Sequence, residues 1–184
     1  MRLMKPEEKL ILDIHRGDRS AMRRLYDRYS GFAMATALRY VPDRDDACDI
    51  VQDAFVKVFQ SVAQFEYRGE GTLKSWLSRI VANEALGFLR HRSGLTFTDD
   101  IPDDAADAED PDISQVTDEQ LAQLIASLPE GYRVVLNMYV FGEMSHKEIA
   151  AELGISPSTS ASQFFHAKKM LARMINDLRK KEIV

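Results

Sequence analysis

Between Leu95 and Val116 the chain carries eight acidic residues and no basic one, includes Pro102 and Pro111, and shows no apolar periodicity. A stretch of that kind cannot bury enough surface to offset the entropy of ordering it, so no single core can run through all 184 residues. Two small modules are expected, 1–94 and 117–184, joined by an acidic tether over 95–116. The net charge of −5 belongs almost wholly to the tether, because 1–94 holds 16 basic and 13 acidic residues and 117–184 holds eight of each. A solvated spacer is one reading of the tether. An acidic strand that lies in a basic channel of a partner, of the kind that holds nucleic acid, is the other.

Both modules read as all-α. Pro6 to His15 and Asp18 to Tyr40 are expected helices, the second capped by Asp18 and carrying Met22, Leu25, Tyr26, Tyr29, Ala33, Ala37 and Tyr40 at helical intervals. After an Asp43 cap, Ala47, Ile50, Val51, Ala54, Phe55, Val58, Phe59 and Val62 recur at the 3,4 spacing of one buried face, while Asp45, Asp49, Gln52, Asp53 and Lys57 line the opposite one. Thr72 opens a further helix with Leu73, Trp76, Leu77, Ile80, Val81, Leu86 and Leu89 toward the core and Lys74, Arg79, Asn83 and Arg90 outside. Beyond the tether, Thr117 to Ser127 and Pro129 to Phe141 repeat the helical pattern, and no alternating strand is seen anywhere.

The most informative local pattern runs from Ser145 to Thr159. Ser145 and Glu148 form a capping box, Gly154 suits a left-handed helix end, and Ser156-Pro157 supplies a new cap with proline at the first helical position. Two helices about a tight turn result, with Ala150 at the crossing, Ile155 in the turn, and Phe164, Ala167 and Leu171 facing inward. This is helix-turn-helix spacing, and it predicts that Ser158, Thr159, Ala161, Ser162, Gln163, Phe165, His166 and Lys169 form a face free to enter a major groove.

Other chemistry is poorly supplied. His15, His91, His146 and His166 lie in different segments, with His146 expected at the surface, and no nucleophile-base arrangement, phosphate-cradling glycine loop or metal-ligand spacing is evident, so no enzyme and no cofactor are expected. The single cysteine, Cys48, reads as a small buried residue. The longest apolar runs are four residues, against roughly 20 for a membrane span, and Met1 to Pro6 lacks the apolar stretch of a secretory signal, so a cytoplasmic protein is expected.

Taken together, Asp45 to Gln60 (DDACDIVQDAFVKVFQ), Phe65 to Arg92 (FEYRGEGTLKSWLSRIVANEALGFLRHR) and Leu128 to Leu171 resemble a bacterial RNA polymerase sigma factor of the extracytoplasmic-function (ECF) group. The resemblance spans nearly the whole chain, with region 2 before the tether and region 4 after it. It implies that Asp45, Asp49, Gln52, Asp53 and Val56 dock on the clamp helices of core RNA polymerase, and the residue types suit that role, since carboxylates on successive turns can accept from arginines of a partner helix. It implies that region 4 meets the flap of a large subunit, that the tether occupies the RNA path, and that an anti-sigma partner exists. The Phe65 to Thr72 stretch matches the family's loop that captures an unpaired base of the −10 element. There Phe65, Tyr67 and Trp76 would offer rings, while Arg68, Lys74, Arg79, Asn83 and Arg90 would hold the separated strand.

In region 4 the architecture matches better than the chemistry. Similar proteins commonly carry Lys or Arg where this chain has Ala161, Gln163 and His166. If three phosphate contacts were lost, the salt slope of binding would fall by about 2.7. Either Gln163 reads an adenine and Phe165 a thymine methyl, or promoter choice is partly delegated to a DNA-bound recruiting protein that tethers the chain. A stand-alone helix-turn-helix regulator is the competing function, and the acidic-apolar face over 49–59 speaks against it.

Overall fold

The computed structural model describes residues 4–95, 97 and 116–182, and the side chains of all of these except 93 and 179–182. All but the two ends and Phe97 of the expected tether, its eight acidic residues included, lies outside the described residues. Two compact units divide at Arg92 and Ser93. Every regular element among the described residues is helical: α1 (Pro6–His15), α2 (Arg19–Tyr40), α3 (Arg44–Ser61), a 3-10 turn (Val62–Gln64), α4 (Thr72–Ser93), α5 (Asp118–Ala126), α6 (Glu130–Val140), α7 (His146–Leu153) and α8 (Pro157–Glu182). The all-α expectation is met.

In the first unit the caps fall where the sequence places them. Asp18 accepts from the backbone N–H of Ser20, and Asp43 accepts from those of Asp45 and Asp46. Caps of this kind contribute about 1 kcal/mol each. The apolar stripes of α2 (Leu25, Tyr29, Ala33, Ala37) and α3 (Ala47, Ile50, Val51, Ala54, Phe55, Val58) are buried, as are Leu73, Leu77, Val81, Ala85, Leu86 and Leu89 of α4. Alanines at Ala33, Ala37, Ala47 and Ala54, all 0% exposed, let the backbones of α2 and α3 approach closely. Ion pairs from Arg92 to Asp46 and from Lys57 to Glu84 (2.5 Å) fasten α4 alongside α3.

Three residues depart from the expected pattern. Phe59, placed on the buried stripe of α3, is 37% exposed at the edge of that stripe, its ring 5.7 Å from Phe55, while Val58 and Val62 carry the stripe on at 0%. Tyr26 is 42% exposed and meets Phe55 edge-on at 4.8 Å. Cys48 is half-buried rather than buried.

The second unit is organised about α8, against which α5, α6 and α7 all lean. Ile125, Leu128, Leu136 and Ala167 form the buried centre, with Leu121, Tyr132, Phe164, Leu171 and Met174 around it. One contact is not foreseeable from periodicity. Arg133, 8% exposed, donates from Nη1 to the carbonyl oxygens of Ala126 (3.1 Å) and Leu128 (2.8 Å), satisfying the orphan end of α5 with a cation. Burial lowers its pKa from the ordinary guanidinium value.

Candidate nucleic-acid interface

The outer face of α3 is presented as the sequence suggests. Asp45, Asp49, Gln52 and Asp53 are exposed, and Val56 is 54% exposed in their midst. Their side chains make no hydrogen bond or ion pair among the described residues, whereas the neighbouring Asp46 and Lys57 are committed to α4. An uncommitted carboxylate row beside an exposed apolar side chain is suited to a partner helix carrying arginines.

A second surface forms where the 3-10 turn, the following loop and the first turns of α4 meet. They enclose a hollow of about 580 Å³ lined by Phe65, Arg68, Thr72, Ser75, Trp76 and Arg79. Phe65 and Trp76 make one wall, with ring centroids 4.8 Å apart. The chain reaches this arrangement through Gly69 and Gly71, whose φ values of +136° and +83° lie in the left-handed region that disfavours a side chain. The Thr72 hydroxyl donates to the Gly69 carbonyl (2.7 Å) and closes the loop against α4. On the rim, Glu66 pairs with Arg68 (3.1 Å) and Glu70 with Lys5 (2.6 Å). The hydrogen bond and charge of Lys5 hold the Glu70 carboxyl below its ordinary range.

The structure therefore brings together Phe65, Arg68, Trp76 and Arg79 but not the whole expected set. Trp76 is half-buried, so one ring serves both as pocket wall and as packing. Tyr67 does not offer its ring with Phe65, because its hydroxyl is buried against the unit. Lys74 lies in an adjoining hollow of about 440 Å³ with Arg28, Tyr29 and Phe32, its Nζ 5.7 Å from the Phe32 ring centre. Asn83 faces a groove between α3 and α4 beside Asp49, Asp53 and His91. Arg90 is exposed, three turns and about 16 Å beyond Arg79 on the same helix. Arg28 and Phe32 are not among the residues the sequence singles out, although their i,i+4 spacing on α2 marks one shared face.

In the second unit the helix-turn-helix geometry is formed. Ser145 and Glu148 make the reciprocal capping box, Gly154 adopts φ +69°, and Ser156 accepts from the backbone N–H of Thr159 at 3.0 Å. Ser158, Ala161 and Phe165 (57% exposed) point outward, with Ser162, Thr159, His166 and Lys169 partly so. Two expectations fail here. Gln163 is 2% exposed and turned toward α6, its Oε1 only 2.9 Å from where a Cβ on Gly131 would sit, so it cannot reach a base edge. It occupies the inward position one turn before Ala167. His146 is half-buried rather than a plain surface residue: its Nδ1 lies 3.0 Å from the buried Ser160 hydroxyl, and its ring stacks on Tyr139 at 4.7 Å. Nor is His166 simply groove-facing, since its ring lies parallel to Tyr132 at 6.1 Å and edge-on to Phe165 at 5.3 Å.

Two helical units, the second built on a helix-turn-helix, define a DNA-binding class of protein, and comparison with known proteins gives the family. Residues 25–94 match the family model for Sigma-70 region 2 and residues 118–171 that for Sigma-70, region 4. The chain belongs to the sigma-70 family, and as such is a promoter-directing, regulatory subunit of RNA polymerase. Its relatives include the RNA polymerase sigma-H factor of Pseudomonas aeruginosa, 28% identical over 94% of this chain and 95% of that protein. The ECF RNA polymerase sigma-E factor of Escherichia coli is 29% identical over the same shares. Among solved structures the fold is similar to CnrH, in complex with the cytosolic domain of CnrY (TM-score 0.50, 24% identity, 91% of this chain and 96% of that one). It is also similar to the sigma factor RpoE of Bartonella quintana, in complex with the anti-sigma factor NepR (TM-score 0.51, 22% identity, 84% and 96%). Among the described residues no helix is long and apolar enough to cross a membrane, and no group of three or more His, Cys, Asp or Glu side chains could hold a metal ion.

Proposed function

We propose that this chain binds core RNA polymerase through the outer face of α3, opens promoter DNA by holding an unpaired −10 base in the loop pocket of its first unit, and reads the −35 duplex with α8. The observation that carries the reading is the pocket itself. Two rings and two guanidinium groups, from Phe65, Trp76, Arg68 and Arg79, converge on one hollow of about 580 Å³, room for a base and its phosphate. Stacking on such a ring contributes about 1–3 kcal/mol, comparable with the few kcal/mol needed to unstack a base.

Docking rests on Asp45, Asp49, Gln52, Asp53 and Val56. An anti-sigma partner would compete for such surfaces, and the two complexes named above support that expectation. At −35, direct readout rests on Ser158, Ala161, Ser162, Phe165 and Lys169. With Gln163 in the core, Ala161 and His166 are the two groove-side positions left where similar proteins commonly carry Lys or Arg, and the salt slope falls by about 1.8 rather than 2.7. The groove-side stretch of α8, 158–169, carries only Lys168 and Lys169 as cations, and this favours a second component, a DNA-bound protein that supplies by tethering what the stretch lacks.

The test is reconstitution with core polymerase on a promoter library, with Asp53→Ala and Phe65→Ala variants. Loss of polymerase binding for the first and loss of melting with binding retained for the second are expected. Operator binding by the chain without polymerase, and no start-site selection with it, would instead make it an independent regulator. Initiation only in the presence of an added DNA-bound activator would assign promoter choice to recruitment.

A further inference from the structure

The pocket loop, Phe65 to Thr72, has little backbone bonding of its own. The Phe65 N–H donates to Val62, and both the N–H and the hydroxyl of Thr72 donate to Gly69. With two glycines in left-handed conformations, it has more freedom to lose than the helices that flank it. Phe65 packs on Trp76 of α4 at one end of it, and the contacts behind the rest lead to the start of α1. Lys5 Nζ lies 2.6 Å from Glu70 Oε2, across 65 residues of sequence. Glu7 Oε1 accepts the Tyr29 hydroxyl at 2.7 Å. Burial first, then the bond to Glu7, raise the Tyr29 phenol, with a small addition from Tyr67, the loop residue turned inward, and α1 rests on the 3-10 turn that leads into the loop.

Two atoms in this cluster are unaccounted for. The Tyr67 hydroxyl and Glu7 Oε2 are both excluded from solvent, and neither has a hydrogen-bond partner among the described residues. One is a donor and the other an acceptor, beside the same phenol, and a buried polar group of either kind is expensive to leave unmade.

We propose that α1 is the positioning element of the base-capturing loop: Lys5 through Glu70, and Glu7 through Tyr29 and Tyr67, hold the loop in its receiving shape before DNA arrives. The inference rests on the pocket reading given above. A water bridging the Tyr67 hydroxyl and Glu7 Oε2 would satisfy both and tie the middle of the loop to α1. Lys5 ties its far end and removes a naked charge. With Glu66 paired to Arg68 and Glu70 to Lys5, a polyanionic strand meets no unneutralised carboxylate at the rim. Preorganisation of this sort raises affinity by removing the cost of ordering a loop on binding.

The experiment uses the full chain assembled with core RNA polymerase and a ten-nucleotide single strand selected from a random pool by the unsubstituted holoenzyme. Affinity is measured for that strand and for strands with the captured base replaced. Phe65→Ala reports the pocket and is expected to weaken binding by roughly 5- to 150-fold. Lys5→Ala, Glu7→Gln and Tyr67→Phe are expected to lower discrimination between the captured base and its replacements by about three- to tenfold, with polymerase affinity unchanged. The charge-swapped pair Lys5→Glu with Glu70→Lys is expected to restore discrimination lost in Lys5→Glu, a rescue that a packing role would not give. If Phe65→Ala weakens binding while Lys5→Ala and the swap leave discrimination untouched, α1 has no positioning role and the pocket reading stands. If Phe65→Ala changes nothing, the pocket reading fails and this inference fails with it. Should Glu7→Gln unfold the chain, the exposed Lys5 and Glu70 pair still decides.

Discussion

The Phe65 ring lies 4.8 Å from the Trp76 indole at an interplanar angle of 39°, so a loop residue and a helix residue form one aromatic wall. Trp76 is the only tryptophan in the chain, which makes its emission a reporter of that wall. Adding single-stranded DNA should change the emission of holoenzyme with Trp76 over that with Trp76→Phe, and Phe65→Ala should reduce affinity by about 1–3 kcal/mol, roughly 5- to 150-fold. Arg79→Ala should lower the slope of log affinity against log salt by about 0.7, the value for one lost phosphate contact on a single strand. An unchanged slope would place Arg79 on a base or off the strand.

Gln163 and Gly131 are a matched pair across α6 and α8. A Cβ at Gly131 would stand 2.9 Å from Gln163 Oε1, so Gly131→Ala should destabilise the second unit unless the glutamine is shortened. The double variant with Gln163→Ala should recover part of the loss. Gln163→Ala alone should cost about 1–3 kcal/mol in a thermal melt. It should leave the base preference of the −35 contact as it was, which a promoter-library selection would measure. A changed preference would return Gln163 to the groove.

The contrast between Gln163 and Ser158 shows what the sequence discloses and what it hides. Periodicity, caps and the Gly154 turn place the helices, because each of those signals is local. The groove face expected for α8 is too wide because a polar side chain does not announce which way it points. Gln163 falls on the same helical stripe as Ser160, Ala167 and Ile175, all buried, and only the approach of glycine at 131 makes room for it. The same limit hides the inward turn of Tyr67 and the link from α1 to the pocket loop, which joins residues 65 apart. The acidic face of α3 is legible because an uncommitted row of carboxylates opposite an apolar stripe is a one-helix pattern.

Arg133 should behave as a structural cation. Its Nη1 serves the carbonyls of Ala126 and Leu128, so Arg133→Met keeps most of the stem packing and removes both bonds. A loss of about 1–3 kcal/mol is expected for the second unit. Arg133→Lys should recover part of it, since both bonds come from a single nitrogen and an ammonium carries donors enough for two carbonyls. Circular dichroism should show part of the helix melting earlier while Trp76, in the first unit, reports no change. A Trp76 transition that moved as well would mean that the two units unfold together.

Tyr40 gives the first unit an alkaline limit. Its ring is 4% exposed, and burial pushes the phenol up from its ordinary value of 10.0 to about 12, opposed slightly by Arg39. Between those values the unfolded chain has released a proton that the folded chain keeps. The unfolded state then binds fewer protons, and stability falls as pH rises. The contribution is fully present below about pH 10 and lost through about pH 12, and at roughly 1.4 kcal/mol for each pH unit between them it amounts to at most roughly 3 kcal/mol. Tyr29 adds in the same direction, because burial and the hydrogen bond to Glu7 raise its phenol further. Urea midpoints followed by Trp76 emission should therefore be level from about pH 7 to about pH 9 and drop steeply above. In Tyr40→Phe the drop should be shallower, with the remainder removed in the double variant with Tyr29→Phe. An alkaline drop as steep in the double variant as in the parent chain would assign the limit to other groups.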